Sequence, residues 1–112
     1  PKQYHKGFNV MYYYPHNEYN KTYCRWCYSK DILDQLVKLF PEFNWILVDG
    51  RQDMVNIFPY VDAYVRPNRH DGASRLVQEC VIQEIPVMHT HCDPQIEDFV
   101  KFLTDQYKLK QE

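Results

Sequence analysis

The chain of 112 residues is 45% hydrophobic, and its 13 Lys and Arg against 15 Asp and Glu leave a formal net charge of −2. That size suits a single domain over residues 1–112 with a real hydrophobic core, and the charge excludes a general electrostatic pull toward nucleic acid. No apolar run approaches the ~20 residues that cross a bilayer as a helix, so no transmembrane segment is expected.

Residues 1–6 (P-K-Q-Y-H-K) carry no signal-peptide pattern. Residues 8–14 (F-N-V-M-Y-Y-Y) are aromatic and β-branched and stop at Pro15, which predicts a first, central strand. Ligands of doubly wound sheets bind beyond the carboxyl ends of strands, so the polar and aromatic stretch 16–30 is a candidate ligand loop. Its cations Lys21, Arg25 and Lys30 could hold an anion or be ordinary surface charges. Ser29 can cap the next helix, with Asp31 in its first turn. Ile32, Leu33, Leu36, Val37 and Phe40 form a core stripe, and Pro41 stops the helix. Residues 45–48 (W-I-L-V) predict the second strand, ended by an Asp49-Gly50 turn. Residues 54–60 read as a short helix turning Met54, Val55, Ile57 and Phe58 inward, and Ala63-Tyr64-Val65 as the third strand.

The stretch 65–88 (V-R-P-N-R-H-D-G-A-S-R-L-V-Q-E-C-V-I-Q-E-I-P-V-M) organises the rest. A polar turn with Gly72 leads into apolar residues at 76, 77, 80, 81 and 85, one face of a helix, and Ile85-Pro86-Val87-Met88 is the fourth strand. Seven residues separate Asp71 in the turn from Glu79 inside the helix. Asp71 could cap the helix; Glu79 lies too deep for that and could pair with Arg75 on the surface. A strand that feeds a helix through such a turn also points free N–H groups, and the positive end of the helix dipole, at whatever lies above it. A carboxylate on the helix can accept hydrogen bonds from a ribose diol. Residues 71–75 could then face a diphosphate and sugar, with Glu79 on the ribose. Beyond Met88, Asp93 and Pro94 predict the start of a last helix with Ile96, Phe99, Val100 and Leu103 buried, and residues 108–112 a frayed tail.

The acid, the Gly-containing turn, the seven intervening residues, the Glu and the following Pro-Val strand resemble the nucleotide-sugar-binding motif of retaining GT-B glycosyltransferases, family 4 in particular. R-P-N-R-H-D-G is similar to a subset of that family carrying R-P-T-x-x-D-G before the helix. The motif covers about a fifth of the chain. Asp71 stands where the family more usually has Glu, and Glu84-Ile85 where it usually has a Gly before Pro-Val. The resemblance implies that Asp71 and Glu79 are the catalytic pair, with Glu79 on the ribose and Asp71 and its turn near the donor sugar. It places His70, Gly72, Ala73, Ser74 and Arg75 in the donor pocket, His70 as a wall rather than an acid–base group, and Lys21 and Arg25 as candidates for the diphosphate. It implies no cofactor. The acceptor half of such an enzyme is missing, so a fragment, a partner chain or a loss of transferase activity would follow.

The expected fold is α/β, a Rossmann-like three-layer domain with a mainly parallel sheet of about four strands in the order 3-2-1-4 and helices on both faces. Four cysteines in such a pattern point to reduced thiols and a cytoplasmic setting. An alternative function is a non-enzymatic interaction module, zinc-stabilised through Cys24, Cys27, His89, His91 and Cys92. The order 3-2-1-4 makes the first and fourth strands neighbours and would bring these two clusters together.

Overall fold

The computed structural model describes residues 5–112; residues 1–4, part of the opening read for a leader, lie outside the described residues. Ten elements follow one another: β1 (Asn9–Tyr13), α1 (Lys21–Cys27), α2 (Lys30–Leu39), β2 (Asn44–Val48), two 3-10 turns (Met54–Asn56 and Phe58–Tyr60), β3 (Ala63–Arg66), α3 (Arg75–Ile82), β4 (Val87–His89) and α4 (Ile96–Gln111). The domain is Rossmann-like α/β, and no helix among the described residues is long and apolar enough to cross a membrane.

The four strands are parallel in the order β2-β1-β3-β4. This corrects the expected 3-2-1-4: β3 lies against β1, not outside β2. Burial explains the choice. Val10 and Met11 of β1 and Ala63, Tyr64 and Val65 of β3 are fully buried, so both strands are apolar on both faces and take the centre. Strand β2 exposes Asn44 and Leu47, and β4 ends on the exposed His89, so both tolerate an edge. The chain winds one way from β1 to β2 and the other way from β3 to β4. The β1/β3 crevice is thus the topological switch point, where doubly wound sheets bind ligands beyond the carboxyl ends of their strands.

Strand periodicity divides the core in two. Val10, Ala63 and Val65 face α2 and α4 and pack with Phe8, Leu33, Leu36, Phe43, Phe99 and Leu103. Met11 and Tyr64 face the other way, onto Phe58, Val61, Val77 and Cys80. The predicted apolar stripes of α2, α3 and α4 are the buried faces, except that Val81 is exposed.

Several local expectations are corrected. The stretch after β1 is not all loop: the Asn20 side chain accepts the Tyr23 N–H and starts α1. Ser29 occupies the N-cap of α2 at φ 52, but its hydroxyl makes no capping bond. Its N–H donates to the Trp26 carbonyl and its own carbonyl accepts the Leu33 N–H, so the backbone and not the hydroxyl sets this start. The 54–60 segment is two 3-10 turns instead of a helix, because Pro59 interrupts any longer ladder, and Val55 points outward at 75% exposure. Asp93, at φ 37, lies before the last helix, whose N-cap is Gln95. The expected frayed tail is helical to Gln111, where Lys110 bonds the Gly7 carbonyl and the Asp62 carboxylate.

Candidate functional site

Arg66, the last residue of β3, anchors the carboxyl edge of the sheet at the switch point. Its Nε and Nη2 donate to the two oxygens of Asp71 at 2.7 and 3.1 Å, and Nη1 donates to the Tyr64 hydroxyl at 3.0 Å. The guanidinium also sits 5.6 Å from the Tyr13 ring centre and 6.0 Å from that of Tyr28. The two side chains of the pair are 11% and 8% exposed, so the planar fork is satisfied away from water. Burial works against the Arg66 charge, but the bonds to Asp71 and Tyr64 outweigh it and hold the group well above its ordinary value. Burial pushes the Tyr64 and Tyr28 phenols up to about 12, so both stay neutral beside the cation.

The turn between β3 and α3 is fastened on two sides. On the α1 side, the Cys27 thiol donates to the His70 carbonyl and the Arg69 N–H donates to the Cys27 carbonyl. Arg69 also donates to the Trp26 carbonyl and, through both Nη atoms, to Asp31 at 3.0 and 3.1 Å, which holds the Asp31 carboxyl below its usual range. On the β4 side, the Thr90 N–H donates to the Arg66 carbonyl and the Thr90 hydroxyl to that of Asn68. Ser74, not Asp71, caps α3 by accepting the Val77 N–H. Asp71 is thereby excused from capping and commits its carboxylate to Arg66.

What this rigid frame leaves open is the tip. Gly72 and Ala73 are exposed. A Cβ on Gly72 would meet nothing within 4 Å, and its backbone is not in the left-handed region. Neither packing nor dihedral angles require glycine there; its effect is to clear space above the turn. The N–H groups of Gly72, Ala73 and Ser74 donate to no acceptor among the described residues. Glu79 is half-buried on α3, and its carboxylate has neither an ion-pair nor a hydrogen-bond partner among the described residues. The surface pair expected with Arg75 is not formed.

The cations placed in the first loop are dispersed. Lys21 is exposed at the start of α1, Arg25 lies 3.8 Å from Glu18, and Lys30 is bound to Asp34 at 3.1 Å. His70 is exposed, with only its carbonyl engaged. Sequence reasoning missed Arg66, Tyr13, Tyr28 and Tyr64. The available signal was an Arg at the end of an apolar strand and directly before Pro67, a charge flanked by residues that can only be buried.

The two Cys/His clusters do not converge. Cys24 is buried, the Cys27 thiol is engaged with His70, and β3 separates β1 from β4. Among the described residues no three His, Cys, Asp or Glu side chains are placed to hold a metal ion. The juxtaposition expected from the order 3-2-1-4 is therefore corrected along with that order. Two surface clefts stand out among the described residues. One, of about 490 Å³, lies at the amino ends of β3 and β4 between Phe58, Val61 and Ile85, away from the switch point. The other, of about 400 Å³, is lined by Arg25, Trp26, Lys30, Asp31 and Asp34 beside the ends of α1 and α2. Compared with models of protein families, with curated proteins and with solved structures, the chain matches none of them.

Proposed function

We propose that this chain binds a nucleoside diphosphate sugar as the donor-binding half of a retaining glycosyltransferase of the GT-B type, completed by an acceptor domain or partner chain. The observation that carries the proposal is Glu79: a carboxylate without a partner among the described residues, on the helix that follows an exposed turn whose N–H groups are likewise unengaged there, at the switch point. Its carboxylate is not among the buried unpaired polar atoms, so it is open to a ligand that donates to it, as a ribose diol does.

The roles follow from the chemistry. The N–H groups of Gly72, Ala73 and Ser74 and the amino end of α3 take the diphosphate. Glu79 accepts from the ribose hydroxyls. Asp71, neutralised by Arg66, orients the turn near the donor sugar. When the glycosidic bond to the donor breaks, negative charge grows on the diphosphate, and preorganised N–H donors stabilise it there without moving. Four free thiols, three of them buried, fit a cytoplasmic setting.

An NMR titration of the labelled chain with UDP, GDP, ADP and their sugar conjugates tests the proposal. The expected outcome is saturable shifts at Gly72, Ala73, Ser74 and Glu79 with one base. Glu79→Ala should weaken that binding about tenfold or more, the loss of hydrogen bonds to a charged acceptor. Absence of saturable shifts with every nucleotide at millimolar concentration would overturn it.

A further inference from the structure

Outside the turn, the most exposed aromatic surface lies around α1. Tyr19 is 78% exposed, Tyr23 37% and Trp26 49%. Tyr23 and Trp26 lie three apart on one side of α1, Tyr19 precedes its N-cap Asn20, and the rings follow in series, Tyr19 to Tyr23 at 6.4 Å and Tyr23 to Trp26 at 5.9 Å between centroids. Contiguous exposed aromatic surface of this kind marks a binding surface. Trp26 also forms one wall of the cleft closed by Arg25, Lys30, Asp31 and Asp34.

We infer that Tyr19, Tyr23, Trp26 and this cleft form a saccharide-binding platform. A pyranose ring has an apolar C–H face that lies flat on an aromatic ring and an edge of hydroxyls that each donate and accept. The row supplies the flat rings. The cleft supplies two cations and two carboxylates, a lining without net charge that suits a neutral polyhydroxylated ligand. Asp31 is fixed by both Nη atoms of Arg69, so an oriented acceptor stands at the cleft. A protein partner fits less well, because the core of a protein interface is depleted of charge and four of these five lining residues are charged. The platform is also joined to the donor turn: Arg69 binds the Trp26 carbonyl and Cys27 binds the His70 carbonyl. The row thus adjoins the segment that fastens the turn proposed for the donor. The inference rests in that last respect on the donor-binding proposal above.

The test is an NMR titration of the full chain with unbranched tetrasaccharides of glucose, mannose and N-acetylglucosamine at millimolar concentration. The readout is the indole N–H of Trp26, with Trp45 as internal control because its indole donates to the Phe40 carbonyl. A saturable shift of Trp26 and not of Trp45, weakened several-fold by Tyr19→Ala and by Tyr23→Ala, supports the platform. Both substitutions are on the surface, and the Asn20 cap is retained. No saturable Trp26 shift with any of the three sugars overturns it. Concentration-dependent self-association that Trp26→Ala abolishes also overturns it and assigns the row to a second copy of the chain. Nucleotide shifts at Gly72 to Ser74 without any saccharide response would sink the platform alone, whereas saccharide binding without nucleotide binding would sink only the donor proposal.

Discussion

At the scale of the residue, the pair Arg66–Asp71 changes what each partner can do. Asp71 in isolation is a loop carboxylate near a helix start; bound by two N–H groups of a buried guanidinium it is held in one orientation. Removing one partner leaves a charge that water reaches poorly. Arg66→Met should cost about 3–5 kcal/mol in urea unfolding, the range for stranding one half of a buried ion pair. The double variant Arg66→Met with Asp71→Leu should lose clearly less than the sum of the two single changes. Additive losses would show that the pair is not coupled. Part of this was legible. The acid, the Gly72 turn and Glu79 could be named from spacing alone, whereas the partner of Asp71 could not, because Arg66 reaches it only once β3 and the turn are folded.

At the scale of the element, α3 shows two ends of different legibility. Its start is local: Ser74 accepts the Val77 N–H three residues on, and Ser74→Ala should cost about 1 kcal/mol. Its end is a Schellman motif, with the Glu84 N–H on the Val81 carbonyl and the Ile85 N–H on that of Cys80. The residue that must turn left-handed there is Glu84, at φ 60. Relieving that strain, Glu84→Gly should raise stability by up to about 1 kcal/mol, less the added freedom of glycine in the unfolded chain. Thermal unfolding of the variant checks this, and a loss of stability would mean that the Glu84 side chain makes a contribution larger than its strain. The stripes of α2 and α4 were equally legible, because a 3.6-residue period is written in the sequence. The 3-10 turns before β3 were not, since a short apolar segment around Pro59 reads as a helix until its length is fixed by the strands it joins.

At the scale of the molecule, the second core sets an alkaline limit. Burial pushes the Cys80 thiol from 9.0 and the Tyr64 phenol from 10.0 up to about 12 in each case. The folded chain keeps protons that the unfolded chain releases. The associated stability is therefore complete below about pH 9 and is lost as pH rises toward about 12. Urea unfolding at neutral pH and at about pH 11 should show the loss, and Cys80→Ala should delay its onset to the range where Tyr64 titrates. An onset unchanged by Cys80→Ala would remove the thiol from the explanation.

The sequence by itself determined the α/β class, the succession of strands and helices, the apolar faces and the acid–turn–helix–Glu spacing, because these depend on periods and propensities within a few residues of chain. Only the tertiary structure decided the strand order, which rests on comparing how deeply four strands can be buried. It also decided that β1 meets β3 at the switch point, that Asp71 belongs to Arg66 while Glu79 has no partner among the described residues, and that Tyr19, Tyr23 and Trp26 remain in solvent. Each of these is a contact, or the lack of one, between segments distant in sequence, and no local pattern encodes it.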